Sequence, residues 1–195
     1  METLRAKLDL VKRVEAEHGF GVEIGEPRVL EPIPELPAGV TEVFGLFSQL
    51  AGDYFNFVQP EEIAGPDEWR WRRGADGDCP LGHPLEIGYE RYGLPRDLRD
   101  DIVGGAPIRM DMQDGSVYYV DPDDYIFFYK NPDVEEIESE DFASGIVEFF
   151  DSHVLGPGYP KLVEAVLGPR VVQERDRKGR PRDSWMRLLQ AADLL

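Results

Sequence analysis

Ile108-Arg109-Met110-Asp111-Met112-Gln113-Asp114-Gly115-Ser116-Val117-Tyr118-Tyr119-Val120-Asp121 is the stretch that decides the architecture. Ile108, Met110 and Met112 alternate with Arg109 and Asp111, the period-two pattern of a strand with one buried face. Asp114-Gly115 follows, a dipeptide that tolerates the backbone conformations of a tight hairpin turn. Val117 to Val120 form the return strand. Asp121-Pro122-Asp123-Asp124 predict a second turn, residues 125–129 a third strand and residues 134–137 a fourth. Strands joined by turns this short pair antiparallel with their neighbours, as a meander.

Helical periodicity surrounds the meander. Downstream, Phe142, Ile146, Phe149 and Phe150 form an apolar stripe, and Glu140 and Asp141 in its first turn complement the helix dipole. Leu162, Val163, Val166 and Leu167 predict a short helix, and Ser184 to Leu194 a closing one. Residues 170–182 between them hold six Arg or Lys against Glu174 and Asp176, a basic loop. Upstream, Leu4, Leu8 and Val11 predict a helix over 2–17 that Gly19 and Gly21 stop. Pro27, Pro32, Pro34 and Pro37 then exclude a long helix and leave room for one short strand at Val29–Ile33.

Val40, Val43, Phe44 and Phe47 predict a helix that Gly52 ends. Tyr54 to Val58 read as a strand leading into a helical turn at 60–63. From 65 to 105 glycine and proline break every pattern except a strand near Leu85–Tyr89. The expectation is an α+β fold, an antiparallel meander of about four to six strands flanked by helices. It is a single domain over 1–195, with a poorly patterned insertion at 65–105 and a helical C-terminal extension after 156.

The chain has 195 residues, 42% hydrophobic and 31% charged, which excludes wholesale disorder. Lys and Arg number 21 against 39 Asp and Glu, a formal net charge of −18. A field of that sign repels phosphate backbones and anionic lipid, so the expected partner is a basic protein rather than nucleic acid or membrane. No apolar run approaches the ~20 residues that span a bilayer. The opening, Met1 to Val14, is charged and periodic and does not read as a secretory signal, so the expected location is cytoplasmic.

The residues that carry chemistry elsewhere are weakly arranged. One cysteine, Cys79, excludes an internal disulfide, and Cys79 with His83 supplies only two of the four ligands a structural zinc needs. Asp121, Asp123 and Asp124 resemble the start of a calcium loop, but the sixth and twelfth positions are Ile126 and Pro132 instead of glycine and glutamate. There is no Gly-x-Ser-x-Gly elbow, phosphate-binding glycine loop or His-Glu-x-x-His. The expectation is a non-enzymatic protein with no cofactor or metal. A hydrolase would need two convergent acids of perturbed pKa in a deep pocket.

Two features suit partner binding. Trp69-Arg70-Trp71-Arg72-Arg73 is an aromatic–basic island, either packed inward or presenting Trp69 and Trp71 as interface anchors. Between Asp111 and Asp141 lie eleven Asp or Glu and one Lys, Lys130, a local net charge of −10. Bunched like charge is either a solubilising surface or a surface that a basic partner neutralises with a gain in on-rate. The candidate contacts there are Asp123, Asp124, Glu135, Glu136 and Glu138.

Four stretches resemble the SUKH superfamily, which groups a fungal cell-wall-synthesis regulator with bacterial immunity proteins. Ile33-Pro34-Glu35-Leu36-Pro37 before the Phe44–Phe47 helix, with Gly52 after it, is similar to the family's opening. Phe57-Val58-Gln59-Pro60-Glu61-Glu62-Ile63 resembles its strand and Glu-Glu-Ile turn, Ile108 to Asp121 its central hairpin, and Phe142 to Phe150 its late helix. The resemblance implies a SUKH-like, non-catalytic binding module, typically an immunity protein that neutralises a cognate toxin domain, often a nuclease. The alternative it implies is a regulatory or scaffold adaptor of the fungal kind. An adjacent toxin gene separates the two.

Overall fold

In a computed structural model of the protein, the residues described are 1–69, 84–94, 105–123 and 139–195. Among them, seven strands form one antiparallel sheet: β1 (Glu23–Gly25), β2 (Gln49–Ala51), β3 (Phe55–Val58), β4 (Leu85–Glu90), β5 (Pro107–Met110), β6 (Val117–Tyr119) and β7 (Glu140–Ala143). Among the described residues each strand pairs with the next in sequence, the order of a meander. The helices are α1 (Glu2–His18), α2 (Val40–Phe44), α3 (Ile146–Glu148) running into a π-helical turn at Phe149–Val154, α4 (Tyr159–Leu167), α5 (Pro169–Val172) and α6 (Ser184–Ala191). A 3-10 turn, Glu61–Ile63, follows β3. This is an α+β fold, with somewhat more strands than the four to six expected.

The deciding hairpin forms as its alternation requires. Ile108 and Met110 pair with Tyr119 and Val117 and all four are buried, while Arg109 pairs with Tyr118 on the other face. Asp111 starts the turn: its carboxylate accepts the N–H of Gln113 at 2.6 Å, and its carbonyl accepts that of Gly115 at 2.9 Å. Gly115 takes the left-handed conformation, φ 81°, that the turn needs.

The core lies between the inner sheet face and the helices. Phe150 is its centre, with ring centroids 5.9 Å from Phe44, 5.1 Å from Phe47, 5.8 Å from Phe57 and 5.4 Å from Phe149. Burying each such ring is worth roughly 1.5–3 kcal/mol, so this block is a major source of stability. Leu4, Leu8 and Val11 of α1 and Leu188 and Leu189 of α6 close over it.

The segment after 156 contributes to this core. Trp185 is fully packed and donates its Nε1 to the carbonyl of Val154 at 2.8 Å. Ser184 and Asp53, in the β2–β3 turn, exchange two bonds: Asp53 N–H to Ser184 Oγ at 3.0 Å and Ser184 N–H to Asp53 Oδ2 at 3.1 Å. Gly52 permits this approach, because a Cβ there would lie 2.7 Å from Cβ of Trp185.

Several expectations are corrected. Val29–Ile33 forms no strand, and Val29 is 94% exposed. The second helix stops at Phe44, and Gly52 belongs to the β2–β3 turn instead of a helix end. Phe142, with Glu140 and Asp141, lies in β7 and not in a helix. The chain enters the helix only after Gly145, where Ser144 gives both its N–H and its hydroxyl to Glu148, at 3.2 and 2.8 Å. Trp71, Cys79, His83, Asp124, Glu135, Glu136 and Glu138, and the strands expected at 125–129 and 134–137, lie outside the described residues.

Candidate functional site

A groove of about 910 Å³ opens beside the outer ends of β3 and β4. Its walls combine Val58, Pro60 and Tyr89 with the carboxylates Glu61, Glu62, Asp67, Glu68 and Glu86. Arg28 and Gln59 complete one side.

Local sequence explains the convergence. β3 leaves the sheet at Val58, and Pro60, which lacks an N–H and so suits the break, leads into the 3-10 turn that carries Glu61 and Glu62. Ile63 of the same turn is buried and anchors it to the core. A bulge between Glu86 and Gly88 inserts one extra residue into β4. In a regular strand residues three apart face opposite ways; the bulge returns Glu86 and Tyr89 to one face while Ile87 and Gly88 are both buried.

Hydrogen bonds stiffen the site. Arg28 donates from Nε to Gln59 Oε1 at 2.8 Å and from Nη2 to the Gln59 carbonyl at 2.6 Å. Gln59, itself buried, donates from Nε2 to the carbonyl of Phe44 at 2.8 Å. Tyr89 is tied to buried Asn56, whose Nδ2 reaches the tyrosine hydroxyl at 2.5 Å, and Asn56 Oδ1 accepts from Gln49 at 3.0 Å. Of the wall carboxylates, Glu86 meets Arg109 at 3.7 Å, while Glu61, Glu62 and Glu68 form no ion pair among the described residues.

Of the residues expected to meet a partner, Asp123 is exposed and its N–H is held by Asp121 Oδ1 at 2.8 Å, the turn that an Asp-Pro-Asp stretch favours. It does not line the groove. Trp69 is only 2% exposed and belongs to the hydrophobic core, so it packs inward. The groove residues lie outside the acidic 111–141 stretch. Their signal in the sequence was the adjacent pairs Glu61-Glu62 and Asp67-Glu68, each beside a buried anchor, Ile63 or Trp69.

Among the described residues, the carboxyl whose pKa is raised sits elsewhere. Burial pushes the Asp183 carboxyl up to about 6, although Tyr159 and the N–H groups of Met186 and Trp185 hydrogen-bond to it. It caps α6 and is enclosed, with no part in the groove. Among the described residues no group of three His, Cys, Asp or Glu could hold a metal ion, and no helix is long and apolar enough to cross a membrane.

No family model, no curated protein and no solved structure matches this chain.

What the groove offers is cation recognition beside apolar surface. An exposed ion pair contributes about 0–1 kcal/mol, so single carboxylates bind little. Several around one concavity, with apolar contact beside them, add affinity and steer approach.

Proposed function

We propose that this chain is a non-catalytic protein-binding module, an immunity-type protein that neutralises a basic toxin domain by occluding it. The observation that carries the reading is the acid-walled groove on a molecule of net charge −18. A nuclease must be basic where it grips phosphate, and a negatively charged concavity competes for that surface. The likeness of residues 33–37, 57–63 and 108–121 to SUKH proteins supports the same reading.

Affinity capture from the native host tests it, with the wild-type chain and a Glu61→Lys/Glu62→Lys variant as parallel baits. The expected result is a basic protein retained by the wild type, lost at raised salt, depleted on the variant, and toxic unless co-expressed with this chain. An Asp123→Lys/Asp124→Lys bait locates the surface: slowed association and a flatter salt dependence place the 111–141 stretch in the interface as well. A captured partner whose activity is unaffected would make the chain an adaptor instead. Turnover of a substrate, abolished by changing one groove carboxylate, would overturn the non-catalytic reading.

A further inference from the structure

We propose that the groove takes an extended, lysine- or arginine-bearing segment protruding from the partner, with Arg28 receiving a main-chain carbonyl of that segment. This rests on the binding reading above and specifies its occupant.

Size is the first argument. At about 910 Å³ the groove lies near the top of the ~300–1,000 Å³ range of ligand pockets, room for a few side chains and a short length of backbone. A flat protein face cannot fill such a concavity, whereas an inserted segment can.

Charge is the second. Glu61, Glu62 and Glu68 stand without ion pairs among the described residues, so cationic side chains complement the walls. The apolar lining of Val58, Pro60 and Tyr89 suits the methylene stems that lysine and arginine lay along apolar surface.

Arg28 decides the backbone. Its guanidinium is exposed but aimed by two part-buried bonds to Gln59, which is itself buried and bonded to Phe44, so its direction is set by the core. Two of its five N–H donors are used there, and three remain for the occupant. A fixed cation in an acid-walled groove rejects a purely cationic ligand such as a polyamine, which brings no acceptor. An extended peptide brings a carbonyl at every residue.

Fluorescence anisotropy with a labelled nonapeptide alternating lysine or arginine with valine tests this. The full chain is expected to bind it saturably, with affinity that falls as salt rises. Glu62→Lys/Glu68→Lys should weaken binding at least tenfold. Asp9→Lys/Glu17→Lys, an equal charge change on the exposed face of α1, should alter it by less than threefold. Arg28→Gln should weaken the peptide while leaving or improving competition by spermine. Thermal melts of each variant establish that it folds.

Equal losses from the groove pair and the α1 pair would reduce the effect to bulk charge and overturn the proposal. So would the absence of saturable binding, or spermine competing with the wild type as well as the unlabelled peptide does. If the peptide fails while the captured protein is still lost on Glu61→Lys/Glu62→Lys, the partner docks as a folded face and only the extended-segment proposal falls. If neither binds, both readings fall.

Discussion

Tyr159 donates its hydroxyl to Oδ2 of Asp183 at 2.7 Å, at a site closed to solvent. The same carboxylate accepts the N–H groups of Met186 at 3.0 Å and Trp185 at 3.3 Å, and so caps α6. One side chain therefore ties α4 to α6, and the adjoining Ser184 ties both to the β2–β3 turn. Burial beside this acid raises the Tyr159 hydroxyl's pKa well above its usual range, so it is a donor at neutral pH.

The Asp183 carboxyl sets a pH dependence with an unusual sign. Its pKa rises from 3.8 to about 6 on folding, because burial disfavours the charge. The native state thus holds a proton that the unfolded chain releases, and this group's contribution falls as pH climbs from 4 through 6. The difference between the ends of that window is about 3 kcal/mol. Asp183→Asn keeps an acceptor for the cap and cannot titrate. Urea denaturation at pH 4.5 and 7 should therefore show the variant gaining on the wild type at the higher pH. Parallel stabilities at both would refute the assignment.

Tyr159→Phe removes one donor from a buried carboxylate and leaves the ring volume intact. The expected cost at pH 7 is about 1–3 kcal/mol, the range for an unsatisfied buried polar group. It should shrink at pH 4.5, where the carboxyl is protonated and needs the donor less. A pH-independent loss in chemical denaturation would point to packing instead.

Glu174 predicts the opposite slope. Its carboxylate accepts from Tyr92 at 2.7 Å, Arg182 at 2.9 Å and Tyr54 at 3.4 Å, and the Tyr92 bond foremost holds its pKa below 4.5. A depressed acid stabilises the fold above its unfolded pKa and loses that contribution as pH falls through the folded one. Glu174→Gln should lower the melting temperature at pH 7 and have a diminishing effect below pH 4. An unchanged difference across that range would count against the bonds from Tyr92 and Arg182 as its source.

The contrast between strands that showed in the sequence and those that did not has a simple physical basis. β5 and β6 were legible because four or more residues alternate around an Asp-Gly turn, and α1 because its apolar stripe runs over several turns. β1 and β2 are three residues each, too short for alternation to register, and they exist because β3 offers β2 a partner and β2 in turn pairs β1. Phe142 misled because its spacing to Ile146, Phe149 and Phe150 fits a helix, whereas Ser144 and Gly145 break the chain between strand and helix. The groove was less legible still. Glu61 and Glu62 stand out as residue types, but their meeting with Glu86 depends on β3 pairing with β4 and on one bulge, neither of which local sequence encodes.

That bulge yields the last prediction. Gly88 faces the core, and a Cβ there would sit 2.6 Å from Cδ1 of Phe57 and 3.1 Å from the carbonyl of Asn56. The ring cannot retreat, since it is packed edge-to-face against Phe149 at 5.9 Å and Phe150 at 5.8 Å. Gly88→Ala must therefore displace β4, at a cost of roughly 1–3 kcal/mol for an overpacked core. Glu86 and Tyr89 flank the glycine and move with the strand, so affinity for the basic nonapeptide should fall even at temperatures where the variant is folded. Gly145→Ala is the matched control: nothing lies within 4 Å of its would-be Cβ and its backbone is extended, φ −170°. Its melting temperature should stay near the wild-type value, with an effect within about 0.5 kcal/mol. If both alanines behave alike, the close contact of Gly88 with Phe57 does not govern the strand's position, and the bulge does not set the groove.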